Sequence, residues 1–472
     1  MLRTKLMSKS ILALCLLLAG CTLAPPYERP AAPIAADWPA ASVPQAEGAA
    51  SEPAAAELPW RSFFLDPQLQ TILATALEHN RDLRVAVLNI ERARAQYRIE
   101  GAALFPHIDA NADGRGQRLP KDLSGTGAPE TVHQYGVSLG FSAYELDLFG
   151  RIRSLKEQAL EQFLASEQAR RSVQISLVSE VAISYLSLAA DRERLQLARQ
   201  TLANQQAAYN LVQSRTEAGI ASALDLNQAR TSVEAARVEI ARLTTLVARD
   251  RNALSLLAGT PLADEGLPTA LAAESSALQA LTPGLPSGVL LSRPDILAAE
   301  HLLQAANANI GAARAAFFPR IALTGSIGSG SNELSGLFEA GSRSWLFVPQ
   351  ISLPIFNAGS NRARLQVAQV DRDIAVARYE QAIQTAFREV ADALAQGGTI
   401  EEQLAAQQAL TAAYAESYRL SQARFEQGVD SYLNVLDAQR ALYRAQQNLI
   451  DTRLTRLANR VTLYRVLGGG SR

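Results

Sequence analysis

RIRSLKEQALEQFLASEQARRSVQISLVSEVAISYLSLAADRERLQLARQTLANQQAAYNLVQSRTEA, residues 151–218, contains neither glycine nor proline. As one helix it would span roughly 100 Å at about 1.5 Å per residue, several times the usual three turns of a globular helix. Its apolar pattern changes along its length. Leu195, Ala198, Leu202, Gln205, Tyr209 and Val212 step by three and four, a coiled-coil seam with one polar member. Further back, Val173, Ile175, Leu177, Val178, Val181, Ile183, Leu186 and Leu188 cover several faces, which predicts packing on more than one side.

The rod stops at Glu217-Ala-Gly-Ile220, and a second helical pattern begins at once. Gly219 suits the left-handed residue that ends a helix, and Ser222 with Asp225 reads as a capping box opening the return helix. The segment is therefore a tight helical hairpin, and it occurs twice. Tyr209–Arg230, YNLVQSRTEAGIASALDLNQAR, is answered by Tyr418–Arg440, YRLSQARFEQGVDSYLNVLDAQR, with Gly428 in the place of Gly219. The second rod, from Ser360, contains Gly397-Gly398, which predicts a kink or non-helical break there.

Working outward, the duplication covers both halves. Asp66-Pro67 opens a helical pattern through Leu69, Leu73 and Leu77 to Ala102, ended by Phe105-Pro106. Asp295–Pro319 aligns on Asp82–Pro106 at one constant offset. Ile108–Gln117 and Gly136–Leu146 read as strands around a polar loop, Arg118–His133, with Val137, Leu139, Phe141 and Ala143 on one face. In the second half Ile321, Leu323, Gly325 and Ile327 alternate. After the loop Ser331–Arg343, so do Phe347, Pro349, Ile351, Leu353 and Ile355. Each half is helix, strand, strand, long helix, tip, helix, an internal repeat. The expected division is 1–20 signal peptide, 21–59 tether, 60–259 first repeat, 260–288 linker and 289–470 second repeat.

The 472 residues, 48% hydrophobic, suffice for a large core, and the formal charge of −1 leaves no basic excess for nucleic acid. Both cysteines lie at the start. Cys15 sits in the apolar run Ile11–Ala19 behind Arg3, Lys5 and Lys9, a secretory signal pattern. Cys21 closes Leu18-Ala-Gly-Cys21, which resembles the bacterial lipobox and predicts N-acyl and S-diacylglycerol groups on Cys21. More than one acyl chain makes a stable membrane anchor. A proline-, alanine- and serine-rich tether, Pro25–Pro59, follows. No mature segment has the roughly 18 consecutive apolar residues of a membrane-spanning helix. Four strands cannot sit in lipid as an open sheet, and membrane barrels begin at about eight strands. Strands that meet the bilayer must therefore be shared between copies; the alternative is a small soluble sheet.

Together, the lipobox, Ala24-Pro-Pro-Tyr-Glu-Arg-Pro30, Tyr144-Glu-Leu-Asp-Leu-Phe-Gly-Arg151, Arg293-Pro-Asp-Ile296, Ile310-Gly-Ala-Ala-Arg-Ala-Ala-Phe-Phe-Pro319 and Leu353-Pro-Ile-Phe356 resemble the TolC-like outer-membrane efflux family, and within it the OprM/OprJ/TtgC-like lipoprotein group. The resemblance covers essentially the whole mature chain. It implies a mixed α/β membrane protein: a homotrimer whose four strands per chain form a 12-stranded outer-membrane β-barrel, continued by an α-helical coiled-coil tunnel through the periplasm. It implies a passive conduit for drugs and other toxic small molecules, partnered by a periplasmic adaptor and an inner-membrane resistance-nodulation-division pump. That pump uses the proton gradient, so the conduit needs no cofactor.

The resemblance also assigns a periplasmic gate to the helix tips. Asp437 falls at the family's acidic ring, Leu433 at its apolar constriction, and Asp225 at an acidic position of the first tip. Where TolC carries Arg, Asp and Tyr in gate contacts, this chain has Asp430, Asn434 and Phe425; the departure puts that salt-bridge latch in doubt here. Physical reasoning supports a gate independently, because Leu433 and Asp437 lie one turn apart on one helix face. Copies in a ring would stack an apolar constriction beside an acidic one, the two devices by which pores select. The plainer reading makes Asp437 a solvated charge, Leu433 seam packing and Asp225 a helix cap. Gly219, Ile220, Ala221 and Ser222, with Gly428, Val429 and Ser431, are expected to offer the adaptor a docking surface.

Enzymatic readings find no support in sequence. His79, His107, His133 and His301 are scattered, and no phosphate-loop or His-Glu-x-x-His motif occurs. The competing functional class is a lipid-anchored structural coiled coil without a pore.

Overall fold

The glycine-free stretch becomes one helix. In the computed structural model, which describes residues 22–39, 58–272, 278–279 and 287–470, α4 runs Arg151–Glu217 for 67 residues. Before it come α1 (Trp60–Phe63), α2 (Pro67–His79), α3 (Arg81–Ala102), β1 (Asp109–Leu119) and β2 (Glu130–Leu146). After it follow α5 (Ala223–Ala258), α6 (Pro294–Ala315), β3 (Arg320–Ser331), β4 (Arg343–Ser352), α7 (Ser360–Glu426) and α8 (Tyr432–Val466). The order helix, strand, strand, rod, tip, helix thus appears twice.

Contacts divide the chain into two compact units. The first comprises Met1–Ala31, Asn89–Glu167 and Ala298–Tyr379; the second comprises Ala32–Leu88, Gln168–Leu297 and Glu380–Arg472.

The first unit holds a four-stranded sheet in the order β1-β2-β3-β4, every neighbouring pair antiparallel. Its registers set Asp109 opposite Gly140, Leu146 opposite Ile321 and Arg320 opposite Ser352. The outer strands β1 and β4 are exposed almost throughout. Asp147 caps α4 by accepting from the Ile152 and Arg153 amides at 3.0 and 2.9 Å. Glu145 holds Arg151 at 2.7 Å and Arg320 at 2.6 Å, fastening strand ends to the rod. A strap from residues 23 to 29 lies antiparallel along α6. Arg314 donates to the Leu23 carbonyl at 3.0 Å, Asn307 to the Pro25 carbonyl at 2.8 Å, and Tyr27 to Glu300 at 3.0 Å. Arg29 closes the strap with a bidentate grip on Glu300. Gly311 permits the approach, since a Cβ there would sit 2.8 Å from the Ala24 nitrogen.

The second unit buries the dense middle of α4: Val178, Val181, Ala182, Leu188, Ala189 and Ala190 are each at most 1% exposed. An 18-residue window of α4 is long and apolar enough to cross a membrane, yet 61% of that window is buried inside the protein, as in a core helix. Phe63 stacks on Tyr464 at 4.0 Å, and the Tyr464 hydroxyl donates to the Leu58 carbonyl at 2.6 Å. Arg293, only 8% exposed, is satisfied by Asp295, Glu389 and the Val466 carbonyl. In the described part of the connector Leu267, Leu271 and Leu278 are buried. Asp250 is pushed up to about 7, first by burial and then by the hydrogen bond and charge of Asp191, with Arg194 pulling the other way.

Five sequence expectations are corrected. The helix expected from Asp66 to Ala102 breaks at Asn80, whose side chain caps α3 through the Leu83 amide at 2.9 Å. There the His79 carbonyl lies 2.3 Å from where a Cβ on Gly259 would stand, so the break lets two segments close up. The expected loop Arg118–His133 shrinks, because β1 and β2 pair on through Leu119 and Glu130; paired backbone groups hold polar strands together without an apolar pattern. Ala143 does not continue its face. It takes φ 51° inside a bulge between Phe141 and Tyr144. Leu353 and Ile355 lie beyond β4, which stops at Ser352, just before the donor-less Pro354. Finally, α7 is continuously helical through Gly397-Gly398, so the non-helical break is absent. A Cβ on Gly397 would stand 3.3 Å from Asn459, and Asn459 donates to the Ala393 carbonyl at 3.1 Å. Tertiary packing on α8 there outweighs the weak helix propensity of glycine.

Candidate functional site at the helix tips

Both tips are built by the same backbone device. At the first, Gly219 (φ 72°) donates to the Thr216 carbonyl at 3.0 Å, and Ile220 donates to Arg215 at 2.8 Å. At the second, Gly428 (φ 73°) donates to Phe425 at 3.0 Å, and Val429 donates to Arg424 at 2.9 Å. These bonds satisfy the last carbonyls of α4 and α7 and turn the chain into α5 and α8.

Side chains then make the tips different. Ser222 and Asp225 form the expected capping box: the Asp225 amide donates to Ser222 Oγ at 3.1 Å, and the Ser222 amide donates to Asp225 Oδ2 at 3.1 Å. Asp225 also accepts from the Ser222 hydroxyl at 2.7 Å, so its carboxylate is occupied within the turn. Ser431, the corresponding residue, makes no side-chain cap bond. The second tip is instead held by Arg424, which donates to Asp430 at 2.6 and 3.1 Å. That hydrogen bond, then the guanidinium charge, holds the Asp430 carboxyl below its ordinary range. Sequence reasoning missed this clamp, although a signal existed: an arginine stands four residues before each tip glycine, Arg215 before Gly219 and Arg424 before Gly428. Arg215 makes no such ion pair among the described residues and lies over the Phe425 ring at 4.6 Å.

The two hairpins pack together just behind the tips. Val212, Ala229, Tyr432, Val435 and Leu436 form a buried cluster, with Tyr209, Ala221, Leu226, Tyr418 and Phe425 against it. Phe425 is thereby committed to packing, 5.3 Å from Tyr432. Burial pushes the Tyr432 hydroxyl up to about 12. Leu433 stays outside the cluster at 46% exposed while Leu436 is 1% exposed. Asp437 stands on the same outward face, its carboxylate 3.8 Å from Arg440. Asn434 is also exposed, its backbone amide donating to the Ser431 carbonyl at 3.2 Å. Gly219, Ile220, Ser222, Gly428, Val429 and Ser431 are exposed, whereas Ala221 is half-buried against the cluster. Among the expected site residues, then, Leu433, Asn434 and Asp437 share an open surface of α8, and Asp225, Phe425 and Asp430 serve the hairpins themselves. Cys21 lies outside the described residues.

The outer membrane efflux protein family matches residues 72–260 and 285–469, once for each repeat, and the chain belongs to that family. It is 52% identical to a probable efflux pump outer membrane protein, TtgC of Pseudomonas putida, over 98% of this chain and 96% of that one. A toluene efflux pump outer membrane protein, also TtgC, from another P. putida strain is equally similar, 52% over the same coverage. Outer membrane protein OprJ of Pseudomonas aeruginosa is 48% identical over 98% of this chain and 95% of its own length. Among solved structures, a membrane protein of P. aeruginosa aligns with TM-score 0.89 at 47% identity, covering 95% of this chain and 98% of that one. The open state of the Neisseria gonorrhoeae MtrE outer membrane channel aligns with TM-score 0.86 at 39% identity, covering 96% and 99%. The chain is thus an efflux component of the outer membrane, and a channel rather than an enzyme.

Proposed function

We propose that three copies of the chain close one 12-stranded barrel and form the passive exit duct of a tripartite efflux system, receiving cargo from an inner-membrane pump through a periplasmic adaptor. One observation carries this reading: among the described residues the four-stranded sheet leaves β1 and β4 each with an unpaired edge, which lipid does not tolerate. Other copies of the chain are the source of strands that closes it. The cargo class is toxic small molecules, in keeping with relatives named for efflux and for toluene.

Within that duct Leu433 and Asp437 are the gate. Their exposure on a face that the hairpin core does not use supports the role, since a seam leucine would be buried like Leu436. The exposed tip residues Gly219–Ser222 and Gly428–Ser431 are the adaptor's docking surface. Acylation of Cys21 is part of the reading as well. The described strap runs from Leu23, which accepts a hydrogen bond from Arg314 near the C-terminal end of α6.

The deciding experiment is single-channel conductance of the purified protein in planar bilayers, with its oligomeric state measured in detergent. A trimer that conducts is the expected result. A monomer or dimer without conductance overturns the duct and favours the structural coiled coil. Intact-mass spectrometry of the membrane-extracted protein checks the acyl groups.

A further inference from the structure

Where β2 and β4 end and β3 begins, charge is sorted by depth. A cavity of about 320 Å³ opens there, lined by Glu145 and Asp147, by Arg320 and Ser352, and by Arg151 and Arg364 from the first turns of α4 and α7. Its acids lie underneath. The Glu145 and Asp147 side chains are each 9% exposed, whereas Arg151 is 37% and Arg320 58% exposed. Both carboxylates are already occupied. Glu145 accepts from Arg151 at 2.7 and 2.8 Å and pairs with Arg320, while Asp147 is taken by Arg153 and two helix amides. Glu100 acts on Arg151 by charge alone and does not line the cavity. Arg364 is exposed and has no hydrogen bond or ion pair among the described residues. Guanidinium groups therefore form the mouth, and their positive charge exceeds what the buried acids cancel.

The surroundings are apolar. Phe318 lines the cavity, and Leu353, Ile355 and Phe356, beside the lining residues Ser352 and Pro354, are exposed. Exposed aromatic and aliphatic side chains next to arginines, at the ends of strands, mark the boundary between hydrocarbon and headgroups. The rods α4 and α7 leave from this end of the sheet, so it is the periplasmic end.

We infer that the cavity seats the headgroup phosphate of an anionic phospholipid from the periplasm-facing leaflet of the outer membrane. The inference rests on the shared-barrel reading, which sets this end of the sheet at the membrane surface. Guanidinium forks match phosphate oxygens, and the apolar rim meets the acyl chains, which a free phosphate ion lacks. Surplus positive charge favours a headgroup of net negative charge over a zwitterionic one, whose cationic end it repels.

Titrating lipid into the delipidated trimer in detergent, and following the temperature at which the trimer dissociates, tests the site. A ligand that binds the folded state raises that temperature. Phosphatidylglycerol should do so at lower concentration than phosphatidylcholine, and inorganic phosphate should not do so. Arg364→Gln should move the phosphatidylglycerol midpoint up about 10-fold, the loss of one hydrogen bond to a charged group. Arg364→Lys should keep most of the effect, and Arg237→Gln, an exposed arginine of α5 in the other unit, should keep all of it. Ser352→Glu adds a negative charge to the cavity without removing an arginine and should weaken the lipid as Arg364→Gln does. Equal midpoints for the two lipids overturn the anionic headgroup, and an equal response to inorganic phosphate overturns the lipid as its source. Unchanged midpoints in both Arg364→Gln and Ser352→Glu overturn the site. A wild-type protein that is no trimer before lipid is added overturns instead the barrel reading beneath it.

Discussion

The two tips start from one backbone plan and are fastened by different chemistry. Tip one is closed locally, by Ser222 and Asp225 within four consecutive residues. Tip two leaves Ser431 idle and reaches across the turn, Arg424 to Asp430. The difference frees the start of α8: nothing at Leu433 or Asp437 is spent on the turn, whereas the acid of α5, Asp225, is consumed by it. A duplicated sequence has thus divided its labour, with one hairpin as structure and the other presenting an open face.

Substitutions can break this division. The largest effect should come from Leu436→Ala, which empties the shared cluster and should cost about 2–5 kcal/mol of hairpin stability, read as early thermal melting of helix signal. Next, Gly219→Ala and Gly428→Ala should each cost about 1–2 kcal/mol, since both glycines have positive φ; equal losses at the two tips would support the common backbone plan. Ser222→Ala should then cost about 1 kcal/mol and speed amide exchange at tip one, while Ser431→Ala leaves tip two unchanged. Equal effects of the two serine variants would dissolve the distinction. Smallest in stability is Leu433→Ala with Asp437→Ala, expected within about 0.5 kcal/mol of wild type yet raising single-channel conductance. Unchanged conductance in an assembled double variant would remove these residues from the gate.

Acid should separate the regions further. Asp430 is depressed by Arg424, so the clamp's contribution is present above the ordinary carboxylate range near pH 4 and is lost as pH falls below that range through the depressed folded value. Asp250 has the opposite sign. Its folded value, about 7, lies above the unfolded one, so stability declines as pH rises from about 4 toward 7. Asp250→Asn should flatten that decline without altering tip two, measured by thermal melting across the range.

What sequence disclosed was local. The rod, the tip glycines and the Ser222–Asp225 box follow from helix rules that act within a few residues, whereas Leu433 and Asp437 came from the family resemblance, helical spacing adding only that they share one face. The misses needed partners distant in the chain. Asn80 ends a helix where Gly259 must approach, and Gly397 stays helical because Asn459 lies on it. Strand ends also escaped, since polar strands such as β1 are held by neighbours rather than by an apolar alternation. Phe425 and Asp430 came to notice through family correspondence, and their packing and clamping roles became visible only once the hairpins were side by side.

The strap along α6 has a kinetic meaning. With Cys21 acylated, residues 23–29 would hold each newly exported chain by its sheet base at one leaflet, so that copies meet by lateral diffusion in a plane rather than by collision in a volume. Tethering of that kind raises effective concentration without adding any contact. The strap would then govern how fast the ring assembles and leave its final stability almost untouched.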